Sequence, residues 1–265
     1  MRLHKILTIA GSDPSGGAGI QADIKTIAAH GMYAMSVITA LTAQNTTGVF
    51  GVFEASPEFT GQQMDAVMSD IFPDAVKIGM VSSSDLIRII AGKLRQYETM
   101  NIVVDPVMVS TSGGKLLVEG AAEVMTRELF PLARVVTPNL RESEALCGFG
   151  ISDENGMLRA AKQIFDKFGC AVLIKGGHAA GGASDMLYDK GDIHWYRQER
   201  IDNKNTHGTG CTLSSAIACR LAEGYPLEVS VKLAKEYLTG AIAAMLDLGR
   251  GFGPLDHGYA TRHLL

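Results

Sequence analysis

Short apolar runs alternate with longer amphipathic stretches along this chain, and that alternation confines it to one class of fold. Residues 5–10, 75–78, 102–104, 134–137 and 171–175 are apolar at most successive positions. Strands read this way when both of their faces are buried. Between them, residues 20–30, 58–71, 84–98, 118–130 and 154–168 place apolar side chains three to four apart, the spacing of a helix with one buried face. The alternation predicts a three-layer α/β/α domain with a central, mostly parallel sheet. Residues 184–188 and 193–197, split by Asp189-Lys190-Gly191-Asp192, read as a hairpin. Two further helices are expected at 209–223 and 227–246. No repeat, low-complexity tract or linker divides the sequence, so residues 1–265 are read as a single domain.

Composition excludes several function classes. Charged residues make up 20% of the chain and the net charge is −4. With no basic block, nucleic acid is not an expected partner. No apolar stretch approaches the ~18 residues a membrane span needs, and residues 6–10 are too short for a signal peptide. Cys147, Cys170, Cys211 and Cys219 show no C-x-x-C spacing, which argues against zinc and a disulfide framework and for a reducing cytoplasm.

The chemistry concentrates first in Asn205-Thr206-His207-Gly208-Thr209-Gly210-Cys211-Thr212. Two glycines bracket a threonine where the helix of residues 209–223 begins. Glycine lets a ligand approach the backbone. The first helical turn offers unpaired N–H groups and a partial positive charge, which together make an anion site. Cys211 is expected at its mouth, where a thiol loses its proton more easily. A plain turn needs neither the second glycine nor the thiol.

A second glycine-rich stretch follows the first strand: Gly11-Ser12-Asp13-Pro14-Ser15-Gly16-Gly17-Ala18-Gly19-Ile20-Gln21-Ala22-Asp23. Gly17-x-Gly19-x-x-Ala22 mimics a dinucleotide fingerprint. That fingerprint starts at the strand end, however, and is followed by an acidic residue ending a second strand; neither condition is met here. No G-x-x-x-x-G-K-[ST] occurs, which argues against a P-loop enzyme. Ligands in a parallel sheet sit at the carboxyl ends of its strands. Thr39 to Thr46, Lys77-Ile78-Gly79-Met80, Asp105-Pro106-Val107-Met108, Thr137-Pro138-Asn139-Leu140-Arg141-Glu142 and Lys175-Gly176-Gly177-His178 all fall at such ends.

Taken in order, these motifs resemble the ribokinase-like sugar and vitamin kinases over essentially the whole chain. Cysteine stands where most of that superfamily has aspartate, and S-G-G-A-G-I-Q-A-D stands at the first helix. The cysteine resembles the hydroxymethylpyrimidine (phosphate) kinase branch of thiamine biosynthesis, and the second motif resembles the pyrimidine and pyridoxine kinases. The resemblance implies ATP-dependent phosphorylation of a heteroaromatic hydroxymethyl group. It implies Cys211 as the catalytic group within an anion hole of Gly208, Thr209 and Gly210. Gly11, Ala18, Asp23, Gln44, Met80 and Val107 are implied at the pyrimidine, and Asn139, Lys175, Thr206 and Thr209 at ATP. Asp105 and Glu142, both hard oxygen donors, suit Mg²⁺. The amide of Gln44 carries a donor and an acceptor, matching the two-sided edge of an aminopyrimidine. A homodimer is implied as well. A pyridoxine or pyridoxal kinase shares these motifs, and Gln44 argues against it. A sugar or nucleoside kinase is disfavoured by Cys211, and a silent metabolite-binding protein by the intact set of polar residues.

Overall fold

The structure, a computed structural model, describes residues 2–108, 120–176 and 184–260. The elements run β1 (Lys5–Ser12), α1 (Gly19–Ala29), β2 (Tyr33–Asn45), β3 (Gly48–Glu54), α2 (Pro57–Met68), β4 (Ala75–Ile78), α3 (Ser84–Gln96) and β5 (Ile102–Val104). They continue through α4 (Ala121–Glu128), a 3-10 turn (Phe130–Leu132), β6 (Val135–Val136), α5 (Leu140–Cys147), α6 (Glu154–Phe168), β7 (Ala171–Ile174), β8 (Asp185–Asp189), β9 (Asp192–Tyr196), α7 (Thr209–Ala222) and α8 (Leu227–Ala243). Among the described residues one sheet forms, in the order β3-β2-β1-β4-β5-β6-β7-β8-β9. The six strands from β2 to β7 are parallel. β3 closes one edge antiparallel to β2, and the β8–β9 hairpin closes the other.

Two-residue alternation sorts each central strand between two apolar layers. Leu7, Ile9, Val76, Ile78, Val104, Val136 and Val172 pack with Met64, Leu86, Ile90, Met125, Ala160 and Ile164. Ile6, Ala75, Val103, Val135 and Leu173 pack with Ile27, Leu213, Ile217, Val231 and Ala234. Helices α2, α3, α4 and α6 therefore cover one face, and α1, α7 and α8 the other. Thr8 and Lys77 occupy strand positions that alternation assigns to the second layer, yet both are polar and fully buried.

Helix starts follow local chemistry. Ser56, Ser83 and Asp153 each accept a first-turn N–H, and Asn139 with Glu142 forms a capping box at α5. Strand β3 has no counterpart in the sequence reading. Its Gly-Val-Phe-Gly-Val-Phe-Glu run is solvent-facing along most of its length and has no apolar/polar alternation. The helix expected over 118–130 starts at Ala121 and gives way to the 3-10 turn at Phe130-Pro131, since proline cannot continue the ladder. Residues 118–119 lie outside the described residues, as do Gly177 and His178.

Candidate active site

The two glycine-rich stretches meet backbone to backbone at the carboxyl edge of the sheet. After β1, the chain turns through residues 13–18 and returns, so that Gly19 pairs with Ser12. Gly19 has φ of 56°, and a Cβ there would collide with the Gly11 carbonyl. Asp13 organises the loop. Its carboxylate accepts from Ser15 N and Oγ (2.9 and 2.7 Å), Gly17 N (3.2 Å) and Ala18 N (2.9 Å). Gly208 then caps α7 in the left-handed region (φ 84°), where any Cβ would overlap the Gly17 carbonyl.

This contact directs the start of α7 at a largely buried ion pair. Lys175 Nζ lies 2.7 Å from Asp105 Oδ1, which also accepts from Thr137 Oγ1 at 3.1 Å. The Cβ direction of Gly210 points between them, to within 3.0 Å of Asp105 Oδ2 and 3.3 Å of Lys175 Nζ. Burial works against the Lys175 ammonium, but Asp105 and Glu142 outweigh it and raise its pKa above the ordinary lysine value. Lys175 is thus a fixed cation beside the glycine-rich start of α7. The Thr209 N–H goes to the Thr206 carbonyl (3.3 Å). Among the described residues, the N–H groups of Gly208, Gly210 and Cys211 have no acceptor. Of the amides over residues 208–211, that of Thr209 is thus already bonded within the chain.

Cys211 sits in the first turn of α7 with the Gly19 amide directed at it. The expectation of an acidic thiol is overturned. Burial pushes its pKa up, Lys77 pulls it down, and Asp23 and Asp105 raise it again, leaving it above the ordinary thiol value. Desolvation outweighs the helix terminus here.

Asp23 also departs from expectation. It does not face the ligand edge but is fully buried between α1, β1, β4 and α7. Its oxygens accept from Thr8 Oγ1 (2.5 Å), Ser215 Oγ (2.8 Å) and Lys77 Nζ (2.9 and 2.8 Å). Saturated in this way, it has no capacity left for a substrate. Burial works against the Lys77 ammonium, but Asp23 and, further off, Asp105 outweigh it and raise its pKa above the ordinary lysine value.

The remaining expected residues are gathered at the same edge. Met80 lies over Gly11, where a Cβ would come within 2.5 Å of its Cε. Ala18 is held through its amide by Asp13, and Val107 follows Asp105 with its N–H on the Asp105 carbonyl (2.8 Å). Gln44 ends β2 beside His207. Asn139 and Glu142 are partly occupied as the α5 cap, through Asn139 Oδ1 to Glu142 N (2.9 Å) and Glu142 Oε2 to Asn139 N (2.8 Å). Burial raises the Glu142 pKa, Lys175 lowers it, and Asp105 raises it again, which places the two carboxylates in one field. No group of three His, Cys, Asp or Glu residues that could hold a metal exists among the described residues. Two carboxylates near a lysine fit Mg²⁺ that keeps its waters and phosphate oxygens, the usual mode for this ion.

Asp13, Lys77 and His207 are structural partners to which the sequence reading assigned no role. Lys77 carried a signal, since a lysine inside Ala75–Ile78 must be buried if its neighbours are. Asp13 carried none beyond its place in a glycine-rich loop.

The sequence matches the family model described as phosphomethylpyrimidine kinase over residues 13–256. It is 50% identical over 255 residues to the hydroxymethylpyrimidine/phosphomethylpyrimidine kinase of Streptomyces coelicolor, covering 96% of this chain and 94% of that protein. It is 51% identical to a bifunctional thiamine-biosynthesis protein of Geobacter sulfurreducens, of which it spans about half (52%). Among solved structures, phosphomethylpyrimidine kinase from Clostridium difficile is 47% identical with a TM-score of 0.81, over 90% of this chain and 99% of that one. The ADP complex of Bacillus subtilis pyridoxal kinase is 36% identical with a TM-score of 0.91, over 98% of this chain and 100% of that one. The ribokinase-like architecture, the converging glycine loops and these matches agree: the chain belongs to the phosphomethylpyrimidine kinase family and is a phosphotransferase.

Proposed function

We propose that this protein transfers the γ-phosphoryl group of ATP to the hydroxymethyl oxygen of 4-amino-5-hydroxymethyl-2-methylpyrimidine, and to the monophosphate of that alcohol, in thiamine biosynthesis. The observation that carries this reading is the start of α7 set over the Asp105–Lys175 pair, with Gly210 facing both. A γ-phosphoryl group there meets unpaired amides from one side and an ammonium from the other. One preorganised donor contributes about 2.7–4 kcal/mol to such a transition state.

In the transfer, the hydroxyl oxygen bonds to phosphorus as the bond to ADP breaks. The transition state is loose, so positioning and charge stabilisation dominate over base strength. This suits a thiol whose pKa burial has raised. Cys211 orients the hydroxyl, and the proton passes to the minor thiolate fraction, which the raised pKa makes the stronger base. Asp105 and Glu142 are the residues that would hold Mg²⁺, which neutralises phosphate charge when bound. Lys175 and Thr206 flank the nucleotide phosphates, and Asn139 lies at the nucleotide side. Gln44, Gly11, Ala18, Met80 and Val107 line the pyrimidine side.

An assembly of two chains also belongs to this reading. The β3 edge exposes Phe50 (70%), Phe53 (73%), Val52 and, from β2, Leu41. An apolar strand edge of this kind suits a second copy. Size measurement of Phe53→Glu against wild type tests it, with dissociation expected. No described helix is long and apolar enough to cross a membrane.

The deciding experiment is a panel of hydroxymethylpyrimidine, its monophosphate, pyridoxine and ribose, each with ATP and Mg²⁺. Both pyrimidines are expected as substrates, with kcat/KM above that of pyridoxine. In Gln44→Leu the pyrimidines should lose more than pyridoxine, since a lost buried hydrogen bond costs roughly 1–3 kcal/mol. A wild type that prefers pyridoxine replaces this reading with a pyridoxine kinase.

A further inference from the structure

Two nitrogen atoms face each other at the carboxyl end of β2. Nε2 of Gln44 lies 3.2 Å from Nε2 of His207. On the other side of the amide, Oε1 of Gln44 lies 3.1 Å from Thr42 Oγ1. The two ends of a glutamine amide have the same shape, so hydrogen bonding decides which is which.

The decision starts at Asp13. Its Oδ2 lies 2.8 Å from the same His207 nitrogen. This carboxylate already accepts two backbone amides on Oδ2 and both the N–H and hydroxyl of Ser15 on Oδ1. Burial opposes its charge, but the bonds from His207 and Ser15 hold its pKa at about 2. It is therefore an acceptor only, and the His207 Nε2 must carry a proton directed at it. An N–H cannot also accept a hydrogen bond from an amide NH₂. With nitrogen towards His207, Gln44 meets a donor with a donor.

Thr42 bears on the same choice. Its hydroxyl has one hydrogen, and that hydrogen faces two acceptors: the Ser12 carbonyl at 2.9 Å and Gln44 Oε1 at 3.1 Å. Exchanging the two ends of the Gln44 amide removes the donor–donor clash and leaves the Thr42 hydrogen to Ser12, while the His207 Nε2–H is shared between Asp13 Oδ2 and the Gln44 oxygen. The oxygen then accepts from His207 Nε2–H. The nitrogen donates to Thr42 Oγ1, which donates in turn to Ser12.

We infer that Asp13, acting through His207, fixes the Gln44 amide with its oxygen towards His207 and its nitrogen towards Thr42, and that both are positioning residues for substrate selection. A register shift reinforces the arrangement. Ala43 pairs with Gly51 and Gln44 with Val49, so β3 carries an extra residue, Phe50, beside Gln44. Bulges of this kind re-aim the neighbouring side chain. The fixed amide keeps one N–H and one oxygen lone pair unused. An aminopyrimidine edge offers the complements, a ring nitrogen that accepts and an amino group that donates. This inference rests on the assignment of Gln44 to the pyrimidine made above.

The first test does not depend on catalysis. Long-range ¹H–¹⁵N correlation of the imidazole nitrogens in the wild-type protein at neutral pH should show His207 Nε2 protonated. An unprotonated Nε2 overturns the inference. The second test compares His207→Leu with His207→Gln, whose side-chain NH₂ reaches the same place and donates to both neighbours. In His207→Leu, the kcat/KM preference for hydroxymethylpyrimidine over pyridoxine should fall roughly tenfold or more, as for a lost buried hydrogen bond, mainly through KM. His207→Gln should restore most of the preference. An unchanged preference in His207→Leu, or an equal loss in both variants, overturns it. If His207→Leu does not fold, the nitrogen correlation and the glutamine variant decide. A wild type that prefers pyridoxine defeats the assignment of Gln44 instead, and the protonation of Nε2 still settles the orientation.

Discussion

Asp105 holds the Lys175 ammonium at 2.7 Å, and the first turn of α7 is seated directly on that pair through Gly210. A negative charge entering this site meets a cation whose own charge is fixed by a buried carboxylate. The pair also brings β5 and β7 into register with a helix that starts far along the chain.

Two glycines two positions apart should respond to substitution in different ways. Gly210→Val places branched atoms against the Asp105 and Lys175 side chains, and is expected to lower kcat at least about 10²-fold while the protein stays folded. Gly208→Ala strains a left-handed residue against the Gly17 carbonyl, and should destabilise by at least about 1–2 kcal/mol. Steady-state kinetics and urea unfolding on both variants check the contrast. Near-normal turnover in Gly210→Val ends the anion-hole assignment.

The buried pair Lys77–Asp23 should behave as a unit. Either Lys77→Met or Asp23→Leu leaves an uncompensated buried charge, at a cost of about 3–5 kcal/mol. The double variant removes both charges and is expected to be more stable than either single one. Unfolding free energies for the four proteins give the coupling. Additive losses would show that the two charges do not depend on each other.

Cys211 should be a slow thiol. Burial holds it in the neutral form, so iodoacetamide at pH 7.5 is expected to alkylate it more slowly than a free cysteine. Cys211→Ala should lower kcat about 10²-fold, the lower end for a group assisting proton transfer, with KM little changed. Alkylation as fast as free cysteine contradicts the raised pKa. Full activity in the alanine variant leaves the amides to act alone.

Stability should fall on mild acidification. Burial and Lys25 lower the His257 pKa from 6.5 to about 4, and burial lowers that of His30 as well. Between these limits the unfolded chain binds protons that the folded chain does not, so stability is full above about pH 6.5 and declines towards pH 4. The His257 contribution is on the order of 3 kcal/mol when fully developed. Below about pH 4, protonation of Asp13, whose folded pKa is about 2, adds a further loss. Thermal unfolding from pH 4 to 8 measures the slope, which His257→Gln should flatten. An unchanged slope assigns the effect elsewhere.

The alternation of apolar runs with helical spacing was sufficient for the parallel sheet, its two helical layers and most element ends, because burial on both faces leaves a strong local pattern. The glycine stretches at 11–19 and 208–210 were legible for a similar reason: the backbone can turn there only without a Cβ. Strand β3 was not legible, because its stability comes from pairing with β2 and its side chains face solvent. The exposure of Asp23 and the acidity of Cys211 were not legible, for one physical reason. A carboxylate or a thiol at a helix start looks available in sequence, and only packing reveals whether it is desolvated or already bonded. Lys77, Thr8 and Ser215 close around Asp23 from β4, β1 and α7, and Asp13 reaches His207 across the whole chain. The sequence by itself determined the fold class and the position of the glycine-rich start of α7, because both depend on neighbours a few residues away. The tertiary structure alone decided which polar groups are occupied and which remain open to a ligand, because each hydrogen-bond partner comes from a distant element.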